Sequence, residues 1–384
     1  TPVILAMIIA FVEALGAINS WPIDWMHYDT ALSGSTFMLN RILQVLLMFL
    51  VEVFVLSLSL IAAESLTRRA FPLHPQLWRI WSRDAAGTIQ VLGRTIGGYL
   101  YACIEIAYIV GFYLIAIRFF HWWTPSDSLV DPDILAHYLP WLSAVAPSLH
   151  AGVWEEALFR AIPIAGAALI GSRWGHRRWW IGGALVLQAI VFGCGHAAYP
   201  SEPAYSRLVE LILPAFVWGI IYLRFGLLPV IIMHYVFDLA LFSIPLFTST
   251  SVGARGDQVM ILLCGLVPLI IVLVARLRAP AWGTLGESLL NRAWAPPAPA
   301  SVPESVPALE SAFMSASVSA SGSASVSASV ATPPGVSPSP SPTRISGPRV
   351  RWLLAPGIAG LLVWGFVGLH ADSPGFRIGR GEAR

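Results

Sequence analysis

The chain has 384 residues and a composition far from that of a soluble globular protein. Hydrophobic residues make up 56% of it, charged residues only 11%, and the mean hydropathy is +0.70, whereas soluble domains carry about 25% charged residues. The net charge is +2, with 23 Lys and Arg against 21 Asp and Glu, so no basic surface is available to hold nucleic acid. These numbers exclude an ordinary soluble enzyme and a nucleic-acid-binding protein, and they indicate that the lipid bilayer is the solvent and a constant partner.

Eight apolar runs within residues 1–280 are long enough to cross a hydrocarbon core, which takes about 20 residues. They lie near 2–19, 42–63, 97–120, 141–170, 179–198, 208–223, 227–247 and 258–275, and a ninth lies near 352–369. Isolated strands would leave backbone groups unpaired in lipid, and the sequence has no ten-residue alternation typical of a barrel. The predicted fold class is therefore an all-α polytopic membrane protein, integral to the membrane with many passes.

Composition also predicts the domain organisation. Residues 1–280 are interpreted as a polytopic membrane domain with its motif-bearing core at 140–245. An Ala-, Ser- and Pro-rich stretch cannot bury a core, so 281–350 is predicted to be a disordered linker. It is followed by a terminal transmembrane helix at 351–371, interpreted as a simple anchor, and by a short tail at 372–384.

Arginine placement predicts the orientation. The arginines fall in alternate loops, while the intervening loops are acidic or nearly uncharged; the arginines in question are Arg68, Arg69, Arg79, Arg83, Arg94, Arg173, Arg177, Arg178, Arg224, Arg276 and Arg278. The positive-inside rule then places the first residues of the chain in the cytoplasm.

Ionisable groups inside apolar runs are costly, so each is a candidate for function. The fourth run contains Glu155-Glu156-Ala157-Leu158-Phe159-Arg160. Glu156 and Arg160 are spaced i and i+4, which predicts an ion pair on a helix. Glu155 points about 100° away from Glu156 and is left without a local charge partner.

Two further clusters follow on successive runs. Phe192-Gly193-Cys194-Gly195-His196 ends the fifth run, and His234 and Asp238 lie i and i+4 on one face of the seventh. For each cluster alone, a buried polar group bonded to a neighbouring helix is the simpler interpretation. Together, the three clusters favour a catalytic site.

Two kinds of chemistry fit this set. Glu155 with His196 could take a proton from a water molecule, while His234 and Asp238 face the developing oxyanion. A hydrogen-bond donor is needed there, so Asp238 would have to be protonated or act by orienting His234. The alternative is a zinc ion held by Glu155, His196 and His234; no HExxH sequence is present, and no cofactor is predicted.

The three clusters resemble the motifs of a known family. Glu-Glu-x-x-x-Arg, Phe-x-x-x-His and His-x-x-x-Asp, in this order on successive spans, are similar to the motifs of the CPBP family, which contains type II CAAX prenyl endopeptidases and bacteriocin-immunity-related membrane proteins. The segment from Gly219 to Pro229 resembles the Gly-x-x-Tyr-x-Arg-x-Gly sequence that precedes the third motif of that family. The resemblance covers about 140–245.

The resemblance implies an eight-helix intramembrane protease-like bundle, extended here by the extra terminal helix. It implies a glutamic endopeptidase of the bacterial cytoplasmic membrane, one that hydrolyses a peptide bond in a membrane-associated protein substrate. Carried over by position, it assigns the activation of water to Glu155 with His196, the oxyanion site to His234 with Asp238, and structural roles to Glu156, Arg160 and Phe192. One position departs from the pattern, since CAAX endopeptidases usually have Asn where this chain has Asp238.

Two interpretations of the protein remain beside this one. The same fold could serve a non-enzymatic membrane scaffold or an immunity or maturation factor, in which the polar cluster only ties helices together. A proton-coupled transporter would use Glu13, Glu52 and Glu105, but the sequence lacks the internal repeats of such proteins.

His150, five residues before Glu155, is given a structural role, with an approach to the site as the alternative.

Overall fold

The computed structural model describes residues 2–123, 131–199, 201–251 and 253–293, together with the single residue 358. Within these residues the chain is helical and forms no β-strand, which confirms the predicted fold class. Apart from residue 358, the ninth predicted span lies outside the described residues, and so do residues 294–350 of the predicted linker.

Twelve α-helices are described within these ranges. They are α1 (Pro2–Asn19), α2 (Trp21–Met26), α3 (Gly34–Ala70), α4 (Arg83–Ala86), α5 (Ile89–Phe120), α6 (Pro140–Glu156), α7 (Ile162–Trp174), α8 (Arg177–Gly195), α9 (Ser206–Phe225), α10 (Leu228–Phe242), α11 (Ile244–Thr248) and α12 (Ala254–Leu277). Short 3₁₀ turns cover Leu77–Arg79, Pro132–Ala136, Glu287–Leu289 and Asn291–Ala293.

Six of the described helices are long and apolar enough to cross a membrane, namely α1, α3, α5, α8, α9 and α12. The shorter α10 is also apolar, and α6 and α7 join into one helix of membrane-spanning length. Each of the eight apolar runs predicted within residues 1–280 therefore coincides with a helix. The protein is an integral multi-pass membrane protein.

A single π-helical turn at Ala157–Ala161 joins α6 to α7. Its position follows from Pro163, which has no backbone N–H to bond the Phe159 carbonyl and whose ring would clash with that carbonyl in a regular α-helix. Widening the turn relieves this clash, and π turns of this kind often occur at functional sites. The turn begins directly after Glu155 and Glu156, so the two acids lie at the only π turn among the described helices.

The loops meet in two groups at opposite ends of the bundle. We call the end with loops 71–88, 175–176, 226–227 and 278–293 the basic end, because it carries the predicted arginine clusters. There Arg177 donates to the Ala70 carbonyl at 3.0 Å, and Arg94 to the Phe225 carbonyl at 2.8 Å. At the other end, the acidic end, Trp123 and Glu202 exchange backbone hydrogen bonds of 2.8 Å. The alternation of loops read from the arginines is thus present in the fold.

Residues 283–293 pack on the basic end. The Leu289 carbonyl accepts from the backbone N–H of Gln76 at 2.8 Å, and the Gly283 carbonyl from that of Ile89 at 3.1 Å. Leu285, Leu289 and Leu290 are buried in one apolar cluster with residues that include Ile80 and Leu228. The predicted domain boundary at 280 assigned these residues to the linker, whereas the structure places them against the membrane domain, because their leucines cover apolar surface that the arginine loops leave open.

Helix α10 packs against α5, α6, α9 and α12. Two glycines allow this close approach. A Cβ atom on Gly98 would lie 2.7 Å from Cβ of Ile232, and one on Gly152 would lie 3.0 Å from both the Cβ and the backbone nitrogen of Tyr235. The backbone of α10 is therefore held directly against α5 and α6, which fixes the position of His234.

Candidate functional site

A fully buried ion pair forms the floor of the site. Nε of Arg160 lies 3.3 Å from Oε2 of Glu156, and neither side chain is exposed. This confirms the ion pair predicted from their spacing. The Arg160 guanidinium lies over two rings, 4.0 Å from the centroid of Phe192 on α8 and 4.6 Å from that of Trp218 on α9. Cation–π contacts of this kind strengthen when desolvated, so the floor joins three helices.

His234 on α10 connects this floor to the other carboxylates. Its Nδ1 lies 2.8 Å from Oε1 of Glu156, and its Nε2 lies 3.4 Å from Oδ2 of Asp238 and 4.0 Å from Oε2 of Glu155. A carboxylate can only accept hydrogen bonds, so Nδ1 carries the proton that bonds Glu156. The other nitrogen of the imidazole, Nε2, faces Glu155 and Asp238.

The exposure of these side chains falls from the rim to the floor. The Glu155 side chain is 20% exposed and that of Asp238 14%, against 5% for His234. Oε2 of Glu155 is itself buried and has no hydrogen-bond partner in the described part of the chain. A buried, unpaired carboxylate oxygen is costly unless something occupies the space before it. Glu155 therefore presents an unsatisfied acceptor at the edge of the site.

His196 lies at the rim, directly after the last residue of α8. Its Nδ1 lies 2.8 Å from the Phe192 carbonyl, and because a carbonyl only accepts, Nδ1 is the protonated nitrogen and Nε2 carries the lone pair of the neutral ring. Glu155 and His196 each lie 19 positions from the basic end of their helices, at Trp174 and Arg177, which places both about 28 Å from that end. Among the described contacts, no hydrogen bond or ion pair joins His196 to Glu155, His234 or Asp238.

Phe192 lies between the parts of the site. Its ring centroid is 4.5 Å from that of His196 and 6.3 Å from that of His234. The predicted residues of all three motifs therefore surround one aromatic ring. Glu156, Arg160, His234 and Asp238 are linked by direct contacts, Glu155 approaches them at 4.0 Å, and His196 joins through Phe192.

Sequence reasoning missed two contributors to the site. The ring of Trp218 packs 5.0 Å from that of His234, and its Nε1 donates to Oε2 of the buried Glu105 at 3.3 Å. From the sequence, Glu105 was considered as a residue that a proton-coupled transporter would use. The signal that could have identified Trp218 is its position beside Gly219 in the segment ahead of the third motif.

His150 belongs to a different cluster. Its Nε2 lies 3.1 Å from Oε2 of Glu52 on α3, and Glu13 on α1 interacts electrostatically with both. The structure thus joins His150 to a neighbouring helix, in line with the structural role predicted for it, and no described hydrogen bond or ion pair links it to Glu155.

The donor set was tested as a metal site. Within the described residues, no group of three or more His, Cys, Asp or Glu side chains has an arrangement that could hold a metal ion. Zinc ligands lie about 2.0–2.2 Å from the ion, but His196 contacts neither Glu155 nor His234. The arrangement of Glu155, His196 and His234 therefore does not fit a three-ligand zinc site.

Comparison with known proteins identifies the region that carries the site. Residues 137–240 match the family model described as Type II CAAX prenyl endopeptidase Rce1-like, and this stretch contains all seven predicted site residues. This region is therefore similar to a family of membrane proteases. No curated protein and no solved structure matches the chain.

Proposed function

We propose that this chain, whose residues 137–240 form a type II CAAX prenyl endopeptidase Rce1-like domain, hydrolyses a peptide bond in a membrane-associated protein by means of a water molecule that Glu155 activates. The observation that carries the proposal is the unpartnered Oε2 of Glu155, at the rim of a buried polar site and 4.0 Å from Nε2 of His234. An unpaired carboxylate oxygen in that setting is costly unless a water molecule or a substrate group bonds to it.

In the proposed reaction, the oxygen of the water attacks the carbonyl carbon of the scissile bond while its proton passes to Glu155. The new C–O bond forms as the carbonyl π pair moves onto the carbonyl oxygen. When this intermediate collapses, the C–N bond breaks and Glu155 gives its proton to the leaving nitrogen. The unprotonated Nε2 of His196 is suited to accept the second hydrogen of the water, which would align one lone pair with the carbonyl.

The buried floor supports this role by fixing His234. Glu156 accepts from Nδ1 and is itself paired with Arg160, so the imidazole is held in one tautomer and one orientation. This arrangement keeps Nε2 facing Asp238 and Glu155. Groups that are already held in position do not have to reorganise during the reaction.

A membrane-associated substrate is favoured by the location of the site. Glu155 lies within a helix that spans the bundle, and the helix surfaces around it are apolar. Mapping the termini of membrane proteins identifies both the protein that is cut and the bond that is cleaved.

The test compares cells that produce the wild-type chain with cells that produce Glu155→Gln, by quantitative mapping of the N- and C-termini of membrane proteins. We expect a set of termini to be missing from cells that produce the variant, although the variant chain is as abundant as the wild-type chain. Glu52→Gln is the matched control, because Glu52 is also a partly exposed carboxylate inside an apolar helix but pairs with His150. Unchanged termini in Glu155→Gln contradict the proposal.

A metal requirement is tested with the purified protein. Cleavage of a peptide that spans a mapped terminus should continue after prolonged dialysis against a chelator, since the carboxylate and imidazoles carry the proton transfers without an ion. Loss of cleavage that returns only on adding Zn²⁺ would replace the Glu155 mechanism with a metal-dependent one.

A non-enzymatic scaffold is the second candidate, and one observation favours it. The contacts of Glu156 with His234 and of Arg160 with Phe192 and Trp218 join helices through buried side chains. On this interpretation, Glu155→Gln keeps the phenotype that is lost when the whole gene is deleted. The endopeptidase proposal requires the opposite result.

A further inference from the structure

Tyr199 completes a stack of rings and charges at the rim of the site. Its ring lies 5.9 Å from that of His196, with only 11° between the two planes. The guanidinium of Arg207 lies 5.0 Å from the centroid of the Tyr199 ring. Tyr199 thus contacts His196 of the second motif and is held by a residue at the start of α9.

The stack is anchored to the interior. Arg207 donates to both carboxylate oxygens of Glu210, at 2.6 and 2.7 Å. Glu210 is fully buried and also accepts a hydrogen bond from the hydroxyl of Tyr113 on α5. Both bonds come from Nη1 of Arg207, and charge-assisted bonds to a buried carboxylate restrain an arginine. The guanidinium over the Tyr199 ring is therefore anchored in the protein interior.

The Tyr199 phenol, stacked on His196, lies within electrostatic range of the proposed catalytic carboxylates. Beyond Arg207, its electrostatic partners are Asp238 and Glu155. Those two residues come from α10 and α6, so the phenol belongs to a cluster built from three separate elements. It is the one neutral O–H group in this cluster.

The proposed reaction lacks a hydrogen-bond donor for the oxyanion. A carboxylate at Asp238 can only accept. Nδ1 of His196 is bonded to the Phe192 carbonyl, and Nδ1 of His234 to Glu156. Nε2 of His234 already faces the carboxylates of Asp238 and Glu155. The rim must therefore supply another donor, or leave the developing charge unsupported.

We propose that Tyr199 is a catalytic residue whose hydroxyl donates a hydrogen bond to the oxyanion formed from the substrate carbonyl. The proton stays on Tyr199 throughout; the water proton travels through Glu155 to the leaving nitrogen, as in the proposed function on which this inference rests. The stack on His196 and Arg207 positions the phenol, and its O–H takes the place of the amide N–H that an asparagine would present at position 238.

The protonation state of Tyr199 suits this role. Burial raises the pKa of its hydroxyl above the usual value, and the negative charges of Asp238 and Glu155 act in the same direction against the opposing effect of Arg207. A tyrosine is already protonated at neutral pH. The donor is therefore present over the whole physiological range.

The test starts from termini that Glu155→Gln abolishes in cells, because these define a peptide for assays with the purified full chain. Tyr199→Phe keeps the ring and its contacts with His196 and Arg207 but removes the O–H. We expect kcat to fall about 100- to 1000-fold, the usual effect of losing one oxyanion donor, with KM and folded yield unchanged. Tyr205→Phe, an exposed tyrosine of the same loop, is the control and should cleave at the wild-type rate.

A second substitution separates loss of the donor from other effects. In the Tyr199→Phe background, Asp238→Asn introduces amide N–H groups beside the site, and we expect it to recover at least tenfold of the lost kcat. The proposal is overturned if Tyr199→Phe cleaves within threefold of the wild-type rate while Glu155→Gln is inactive. If Glu155→Gln itself cleaves the peptide at the wild-type rate, the proposed function fails, which is a different outcome.

Discussion

Nδ1 of His234 lies 2.8 Å from Oε1 of Glu156, so a buried hydrogen bond joins α10 to the end of α6. The other carboxylate oxygen of Glu156 lies 3.3 Å from Nε of Arg160. Glu156 is thus a bridge between a buried cation and the imidazole of the third motif, while the adjacent Glu155 remains free to face the rim. Two neighbouring glutamates have separate tasks because helical geometry turns them about 100° apart.

Glu156→Gln should destabilise the protein, whereas Glu155→Gln should not. Removing the carboxylate leaves Arg160 buried without a counter-charge, which typically costs about 3–5 kcal/mol. Thermal unfolding in detergent, followed by tryptophan fluorescence, should show a clearly lower midpoint for Glu156→Gln. Glu202→Gln, at an exposed loop position, serves as the control. Equal midpoints for all three variants would show that the buried pair contributes nothing to stability.

Gly152→Ala should impair the site although residue 152 touches no catalytic group. A Cβ there would lie 3.0 Å from the backbone nitrogen and Cβ of Tyr235, which forces α10 away from α6. We expect the distance from His234 to Glu155 to grow and kcat to fall about tenfold or more, since misplacement by about 1 Å can cost 100-fold. Gly166→Ala is the matched control, because nothing lies within 4 Å of its added Cβ. Wild-type kcat in Gly152→Ala would refute this reading of the contact.

Stability at the basic end should fall in mild acid because of His74. This residue lies in the loop after α3, and burial lowers its pKa to about 4, although a bond with the Leu223 carbonyl works against the shift. The unfolded chain, with a pKa of about 6.5, therefore binds the proton first. The stabilising effect of neutral His74 is complete above pH 6.5 and is lost as the pH falls to 4, by up to about 3 kcal/mol.

The measurement for His74 is the unfolding midpoint of the wild type and of His74→Phe between pH 7.5 and pH 4.5. Phenylalanine can retain the packing against Phe71, whose ring lies 4.9 Å away, but it does not titrate. The decline with falling pH should be shallower in His74→Phe. His27→Ala, at an exposed position near the other end, should follow the wild type; identical slopes for His74→Phe and wild type would count against the explanation.

Removing residues 281–293 should weaken the membrane domain. A chain that ends at residue 280 lacks Leu285, Leu289 and Leu290, which are buried against Ile80 and Leu228. Each buried leucine contributes about 1.5–3 kcal/mol, so the shorter chain should unfold at a clearly lower temperature than one that ends at residue 293. Equal midpoints for the two chains would show that this segment is not part of the folded domain.

The sequence was sufficient for features that depend on local geometry. Helical periodicity and hydropathy located the spans, and the i,i+4 rule found the pairs Glu156–Arg160 and His234–Asp238, which the structure places 3.3 and 3.4 Å apart. These predictions succeed because the spacing within one helix is fixed by the helix itself. The domain boundary at 280 failed because an irregular segment can be ordered by three leucines, which composition alone does not weigh.

Contacts between helices could not be predicted from the sequence. The bond from His234 to Glu156 rather than to Glu155, the position of Trp218 over His234, and the stack of Tyr199 on His196 all depend on how the helices are rotated against one another. That rotation is set by close approaches such as the one at Gly152, and a lone glycine in an apolar helix gives no sign of its partner.

The placement of the arginines divides the charges of the protein into two groups with opposite responses to ionic strength. Nine arginines are exposed at the basic end, namely Arg69, Arg79, Arg83, Arg173, Arg177, Arg178, Arg224, Arg278 and Arg292, against the exposed acids Asp84 and Glu287. Their attraction to anionic headgroups is screened over about 8 Å at physiological salt. Counterions do not reach the buried pair of Glu156 and Arg160. Concentrated salt should therefore weaken the attraction between the exposed arginines and anionic lipids while leaving the floor of the site intact.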